Sequence, residues 1–155
     1  MKFSVRQDIE APIDFVFEQL TDFPAIERAA MRRGAEVQRV DTLTSAGPGM
    51  IWDARFELRG KPRELQLELT GFDAPNGMTM TSQSSNLEGA ILADLVALSR
   101  NSTRLTMDFE LKARNLSGKL LVQSLRLARK NLTNKVQDRL SSFAKDIGNR
   151  YQRPA

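Results

Sequence analysis

Residues 103–147 read TRLTMDFELKARNLSGKLLVQSLRLARKNLTNKVQDRLSSFAKDI, and the stretch changes period in its middle. Up to Lys112, the apolar residues Leu105, Met107, Phe109 and Leu111 alternate with Thr106, Asp108, Glu110 and Lys112. That two-residue repeat is the pattern of a strand with one buried face. Past Asn115, the residues Leu121, Leu125, Ala128, Leu132, Val136, Leu140, Phe143 and Ile147 recur every three or four positions. No Gly or Pro interrupts from Lys119 to Ile147, and Ser117 stands where an N-cap is wanted. A last strand followed by one long amphipathic helix is therefore predicted.

Upstream, the two-residue period prevails. Phe3, Val5, Gln7 and Ile9 alternate with Lys2, Ser4, Arg6 and Asp8, giving a first strand over residues 2–10. Ala11-Pro12 opens a helix whose buried side is Phe15, Val16, Phe17 and Leu20, with Asp14 in its first turn. Pro24 ends it and opens a second short helix near 25–33, which Gly34 stops. Strands follow near 35–41, 50–59, 64–70, 78–84 and 88–98, separated by turn signals at Ser45-Ala46-Gly47-Pro48-Gly49, Gly60-Lys61-Pro62 and Asn76-Gly77. Six strands in a row with hairpin-length joins make an antiparallel sheet. Its apolar face needs a cover, and the C-terminal helix is the only element large enough. The expected architecture is α+β: a curved antiparallel sheet of about seven strands closing on the helix, with residues 1–155 forming a single domain.

The chemistry such a domain could carry is bounded by what is missing. The chain has no Cys and no His, so it lacks thiolate nucleophiles, Cys or His metal ligands and the usual neutral-pH base. No loop spaces acidic residues as a metal site requires, so neither a metal nor a cofactor is expected. With neither a signal-like N-terminus nor a membrane-spanning run, the expected location is cytoplasmic. The net charge of +4 is unevenly placed: from Lys112 onward eleven basic residues, the last being Arg153, face only Asp138 and Asp146, leaving the rest of the chain acidic.

Three stretches carry a resemblance to a known family. Ile9-Glu10-Ala11-Pro12-Ile13-Asp14-Phe15-Val16-Phe17-Glu18-Gln19-Leu20-Thr21-Asp22-Phe23 resembles the strand-to-helix opening of the START-like, or SRPBCC, superfamily, in particular its polyketide cyclase/dehydrase-like group. Gly49-Met50-Ile51-Trp52, followed by Gly60-Lys61-Pro62-Arg63-Glu64, is similar too, as is Phe72-Asp73-Ala74-Pro75. The resemblance implies a helix-grip fold with a cavity between sheet and helix. It covers lipid carriers, receptors, cyclases and membrane-associated accessory proteins, which share the fold and not the function.

The expected ligand is a hydrophobic small molecule, lipid-like or polyketide-like. The candidate cavity residues are Trp52, Phe56, Leu67, Leu69, Met78, Met80, Leu105, Met107 and Phe109 on the sheet, with Leu125, Leu132 and Val136 on the helix. Each of them also suits plain core. Arg28 and Arg32, by resemblance near the cavity mouth, are candidates for an anionic group. Asp94 interrupts the apolar run Ala90–Leu98. Turned inward, it would be a buried carboxylate fit for proton transfer in a cyclase or dehydratase; turned outward, it would pair with a neighbouring cation. The run is apolar on both faces, which suits a homodimer contact. Arg55, Arg59, Arg63 and Arg104, with Asp53 and Glu57, are expected to form ion pairs on the solvated face. The basic helix lacks interleaved aromatics, so nucleic acid is not an expected partner; peripheral contact with an anionic membrane is a third reading.

Overall fold

Alternating apolar residues put Phe3, Val5 and Ile9 on one face of β1 (Lys2–Ile9). The chain then forms α1 (Ile13–Leu20), with Val16, Phe17 and Leu20 buried. Next comes α2 (Phe23–Arg32), where the Asp22 side chain accepts a hydrogen bond from the Ala25 amide in N-cap fashion. The strands that follow are β2 (Glu36–Arg39), β3 (Ile51–Leu58), β4 (Lys61–Asp73), β5 (Gly77–Gln83), β6 (Leu87–Ser99) and β7 (Ser102–Ala113). Two helices, α3 (Leu116–Leu127) and α4 (Arg129–Gln152), complete the chain. This computed structural model describes residues 1–152; Arg153 lies outside the described residues.

The seven strands form one antiparallel sheet in the order β1-β7-β6-β5-β4-β3-β2. A bulge between Leu69 and Gly71 shifts the β4 register, so Leu65, Leu67 and Leu69 face inward before it and Phe72 after it. Such a bulge bends the sheet. Phe72 then meets Phe17 of α1 edge-on, with ring centroids 5.2 Å apart. The core is built on Ile9, Val16, Leu69, Leu105 and Ile147, all essentially inaccessible. Thr103, equally buried, donates its hydroxyl to the Ala11 carbonyl at 2.8 Å.

The C-terminal helix departs from the uninterrupted one expected. It breaks at Ala128 (φ −98°, ψ 14°), whose amide reaches back to the Ser124 carbonyl at 3.3 Å. The cap is Asn115 rather than Ser117: its side chain accepts from the Gly118 amide at 2.9 Å. A three-to-four-residue period survives a single non-helical residue, so the sequence pattern does not register the break. α4 docks on β1, and α3 packs against β7. β1 is a sheet edge, and the Gln137 side chain of α4 occupies it as a further peptide would. The Gln137 amide donates to the Arg6 carbonyl at 3.0 Å and accepts from the Arg6 amide at 3.3 Å.

Candidate functional site

β4 and β5 pair only from Gln66↔Gln83 onward, so the first residues of β4, Lys61–Leu65, bond to β3 alone. The β3–β4 hairpin therefore splays from the β5–β6 hairpin, and α3 passes beneath the opening. A cavity of about 790 Å³ occupies this split. Its apolar walls are Phe56 and Leu58 of β3, Leu65 of β4, Leu87 of β6, Leu111 of β7 and Leu121 of α3.

Short polar ties hold this frame. The β3–β4 turn is Arg59-Gly60, both with positive φ (55° and 75°), the twist a two-residue hairpin wants. Arg59 donates from Nη2 to the Ser124 carbonyl of α3 at 3.4 Å. On the other side, Arg114 donates to the Ser84 carbonyl at 2.8 Å and Asn115 to the Ser85 carbonyl at 3.2 Å, lashing the start of α3 to the β5–β6 turn. The approach is tight enough to demand glycine at 118, where a Cβ would sit 2.0 Å from the Asn86 carbonyl oxygen.

Arg63 is the unexpected member of the wall. Instead of lying on the solvated face, it pairs with Phe56 across β3 and β4 and so shares the inner face. It lines the cavity, and its Nε is buried with no hydrogen-bond partner among the described residues. The two carboxylates that line the cavity with it are engaged elsewhere: Glu64 pairs with Arg55 at 2.8 Å, and Asp53 accepts from Gln66 at 3.1 Å. Of the other expected ion pairs, Arg104 forms one, meeting Asp8 at 2.8 Å. Arg59 serves the turn instead.

Of the twelve residues read as cavity candidates, Phe56 lines this cavity. Trp52, Leu69, Met78 and Leu105 are buried in the core cluster, and Leu67, Met80, Met107, Phe109 and Val136 pack against it half-buried. Leu125 is buried on α3 and Leu132 half-buried on α4. Trp52 donates its indole N–H to Glu27 of α2 at 2.7 Å, and its ring lies against Phe23. Arg28 and Arg32 are exposed on α2 and do not line the cavity. Trp52 and Phe56 are four residues apart on β3, roughly 13 Å. The deep end of the fold is thus filled where α1 and α2 close on it, and the space lies toward the hairpin tips.

Asp94 points outward and is exposed, opposite Gly77 and Thr106, with no ion-pair partner among the described residues. The parity of β6 explains this: Ala93 and Leu95 take the buried face. Leu92, Val96 and Leu98 share the outer face and are exposed. The strongest electrostatic perturbation also lies away from the cavity. Asp41 accepts from Arg39 at 2.8 and 2.9 Å and from the amides of Ile51 and Leu43, each at 2.9 Å. First the Arg39 guanidinium, then the Ile51 N–H, holds its carboxyl well below the usual carboxylate range. This cluster pins the loop before β3. Among the described residues no group of three acidic side chains is placed to hold a metal ion.

Neither a protein-family model nor a curated protein sequence matches the chain. Solved structures do. Norcoclaurine synthase from Thalictrum flavum, in complex with dopamine and hydroxybenzaldehyde, superposes with a TM-score of 0.70 at 10% identity, over 99% of this chain and 89% of that one. The Zhui aromatase/cyclase from Streptomyces sp. R1128 gives 0.69 at 11% identity, over 97% and 94%. A START superfamily protein from Mycobacterium smegmatis gives 0.59 at 14% identity, over 88% and 97%. The chain has the START-like helix-grip fold. Likeness at these identities is one of fold, and the START-like fold serves enzymes and other proteins alike.

Proposed function

We propose that this protein binds an apolar small molecule bearing an anionic group, such as a carboxylate, and performs no chemistry on it. The observation that carries the reading is Arg63, a guanidinium with no salt bridge among the described residues, set beside the apolar wall of Phe56, Leu58, Leu65, Leu87, Leu111 and Leu121 in a cavity whose remaining lining is largely polar. At about 790 Å³ the cavity is of a size that takes a drug-sized molecule. A buried N–H left without an acceptor costs free energy, which a ligand carboxylate would return by accepting from the guanidinium fork. The fold supports the coarser half of the reading, since a neighbour of the same fold holds dopamine and hydroxybenzaldehyde.

The cyclase or dehydratase alternative needs an inward carboxylate, Asp94 or another. Asp94 is exposed on the opposite face, and the two carboxylates of the cavity lining are engaged, Glu64 by Arg55 and Asp53 by the Gln66 amide, which speaks against this alternative.

The test is a matched pair of fluorescent ligands, cis-parinaric acid and its methyl ester, titrated against the wild type and Arg63→Met. The acid is expected to bind roughly tenfold or more tightly than the ester, as a charge-assisted hydrogen bond allows, and Arg63→Met should erase that difference. Equal binding of acid and ester to the wild type would reject the anionic group and leave the apolar site standing. If neither bound, the site itself would fall. Native mass spectrometry of the freshly purified protein supplies the complementary readout, a released organic acid.

A further inference from the structure

α3 is apolar on two sides. Leu121, Val122 and Leu125 are buried beneath it, while Leu116, Leu120 and Leu127 point to solvent with 73, 61 and 92% of their surface exposed. Spacings of four and seven residues place the three exposed leucines within about 40° of one another around the helix, with Gln123 between them. Leucines this exposed have no role in the fold. The charge around them is of one sign: from Leu111 to Gln137 there is no Asp or Glu, and the seven basic residues include Lys119, Arg126, Arg129 and Lys130. All four are exposed, and none forms a salt bridge among the described residues.

From this juxtaposition we infer that α3 is a membrane-docking helix: Leu116, Leu120 and Leu127 enter the acyl boundary of an anionic bilayer, and Lys119, Arg126, Arg129 and Lys130 pair with its lipid headgroups. A short helix with a narrow apolar stripe and cations along one side of it lies in the interfacial plane of a membrane instead of crossing it. Among the described residues no helix is long and apolar enough to span one. A second copy is a poor occupant, because two such stripes would bring like charges together. The architecture suits docking. α3 ends at Ala128, and the Asn115, Arg114 and Arg59 ties hold it to the two hairpins. α3 also walls the cavity through Leu121 on its buried side, so docking places the cavity behind the membrane-facing helix.

The experiment is vesicle flotation of the full chain. Phosphatidylcholine vesicles containing phosphatidylglycerol should carry the protein upward; phosphatidylcholine alone should not, and high salt should weaken the effect. The double variant Leu120→Glu/Leu127→Glu should partition about a hundredfold more weakly, since each inserted leucine contributes roughly tenfold. Because both side chains are exposed, its melting temperature should match the wild type. Leu127→Trp gives an independent readout, a blue-shifted emission shielded from an aqueous quencher when anionic vesicles are added. The inference is overturned if the wild type ignores the anionic vesicles, if the double variant floats as well as the wild type, or if the Leu127→Trp emission is unmoved. A wild-type dimer that the double variant dissociates, without flotation, would overturn it in favour of a self-interface.

Discussion

At Arg63, the alternation of a strand conflicts with the hydrophilicity of a guanidinium. Parity with Phe56 sends the side chain inward, where its Nε has no partner among the described residues. Arg63→Met keeps the stem that covers the wall and removes the unsatisfied donor, so thermal melting of the ligand-free protein should be unchanged or slightly raised even as acid binding is lost. A core residue behaves oppositely. Leu105 is wholly buried, and Leu105→Ala should lower the unfolding free energy by about 2–5 kcal/mol in urea titration, through lost transfer energy and the cavity left behind. Asp41 has a pH signature. Its carboxyl is depressed from an ordinary 3.8, so the stability it contributes is complete above that value and is lost as the pH falls below it. Asp41→Asn should therefore melt lower at neutral pH and show a flatter stability profile than the wild type between about pH 5 and pH 2.

At the scale of the element, α3 and α4 are held by single, specific contacts. A Cβ at residue 118 would collide with the Asn86 backbone, which cannot give way as the end of a side chain can. Gly118→Ala should therefore cost about 1–3 kcal/mol and loosen the start of α3, read by hydrogen exchange as loss of protection in residues 116–127 with α4 unaffected. Gln137 holds the β1 edge from a half-buried position by two hydrogen bonds to the Arg6 backbone, both replaceable by water. Gln137→Ala should cost no more than about 1 kcal/mol while exposing a strand edge, so its clearer effect is faster aggregation near the melting transition.

At the scale of the whole molecule, a ligand that occupies the cavity only in the folded state stabilises it by mass action. A bound organic acid at a hundredfold excess over its Kd adds about 2.7 kcal/mol. For a domain of this size that raises the melting temperature by roughly 5–10 °C, and Arg63→Met should lose the rise. Fold and cavity were legible to different depths in the sequence. Local periodicity determined the seven strands, the two early helices and the helical C-terminus, because strand and helix repeats differ and each must show a consistent apolar face. Composition determined that Cys and His chemistry are absent. Tertiary structure decided what local pattern leaves open. Where two hairpins splay follows from the register of β4 against β5, a relation between residues distant in sequence. The charge of Arg63 suits the solvated face, whereas its pairing with Phe56 puts it inside. The break at Ala128 leaves the helical period intact and so leaves no trace in it. Which leucines of α3 face the sheet and which face solvent was settled by the packing against β7, since a helix apolar on two sides does not itself say which side the protein covers.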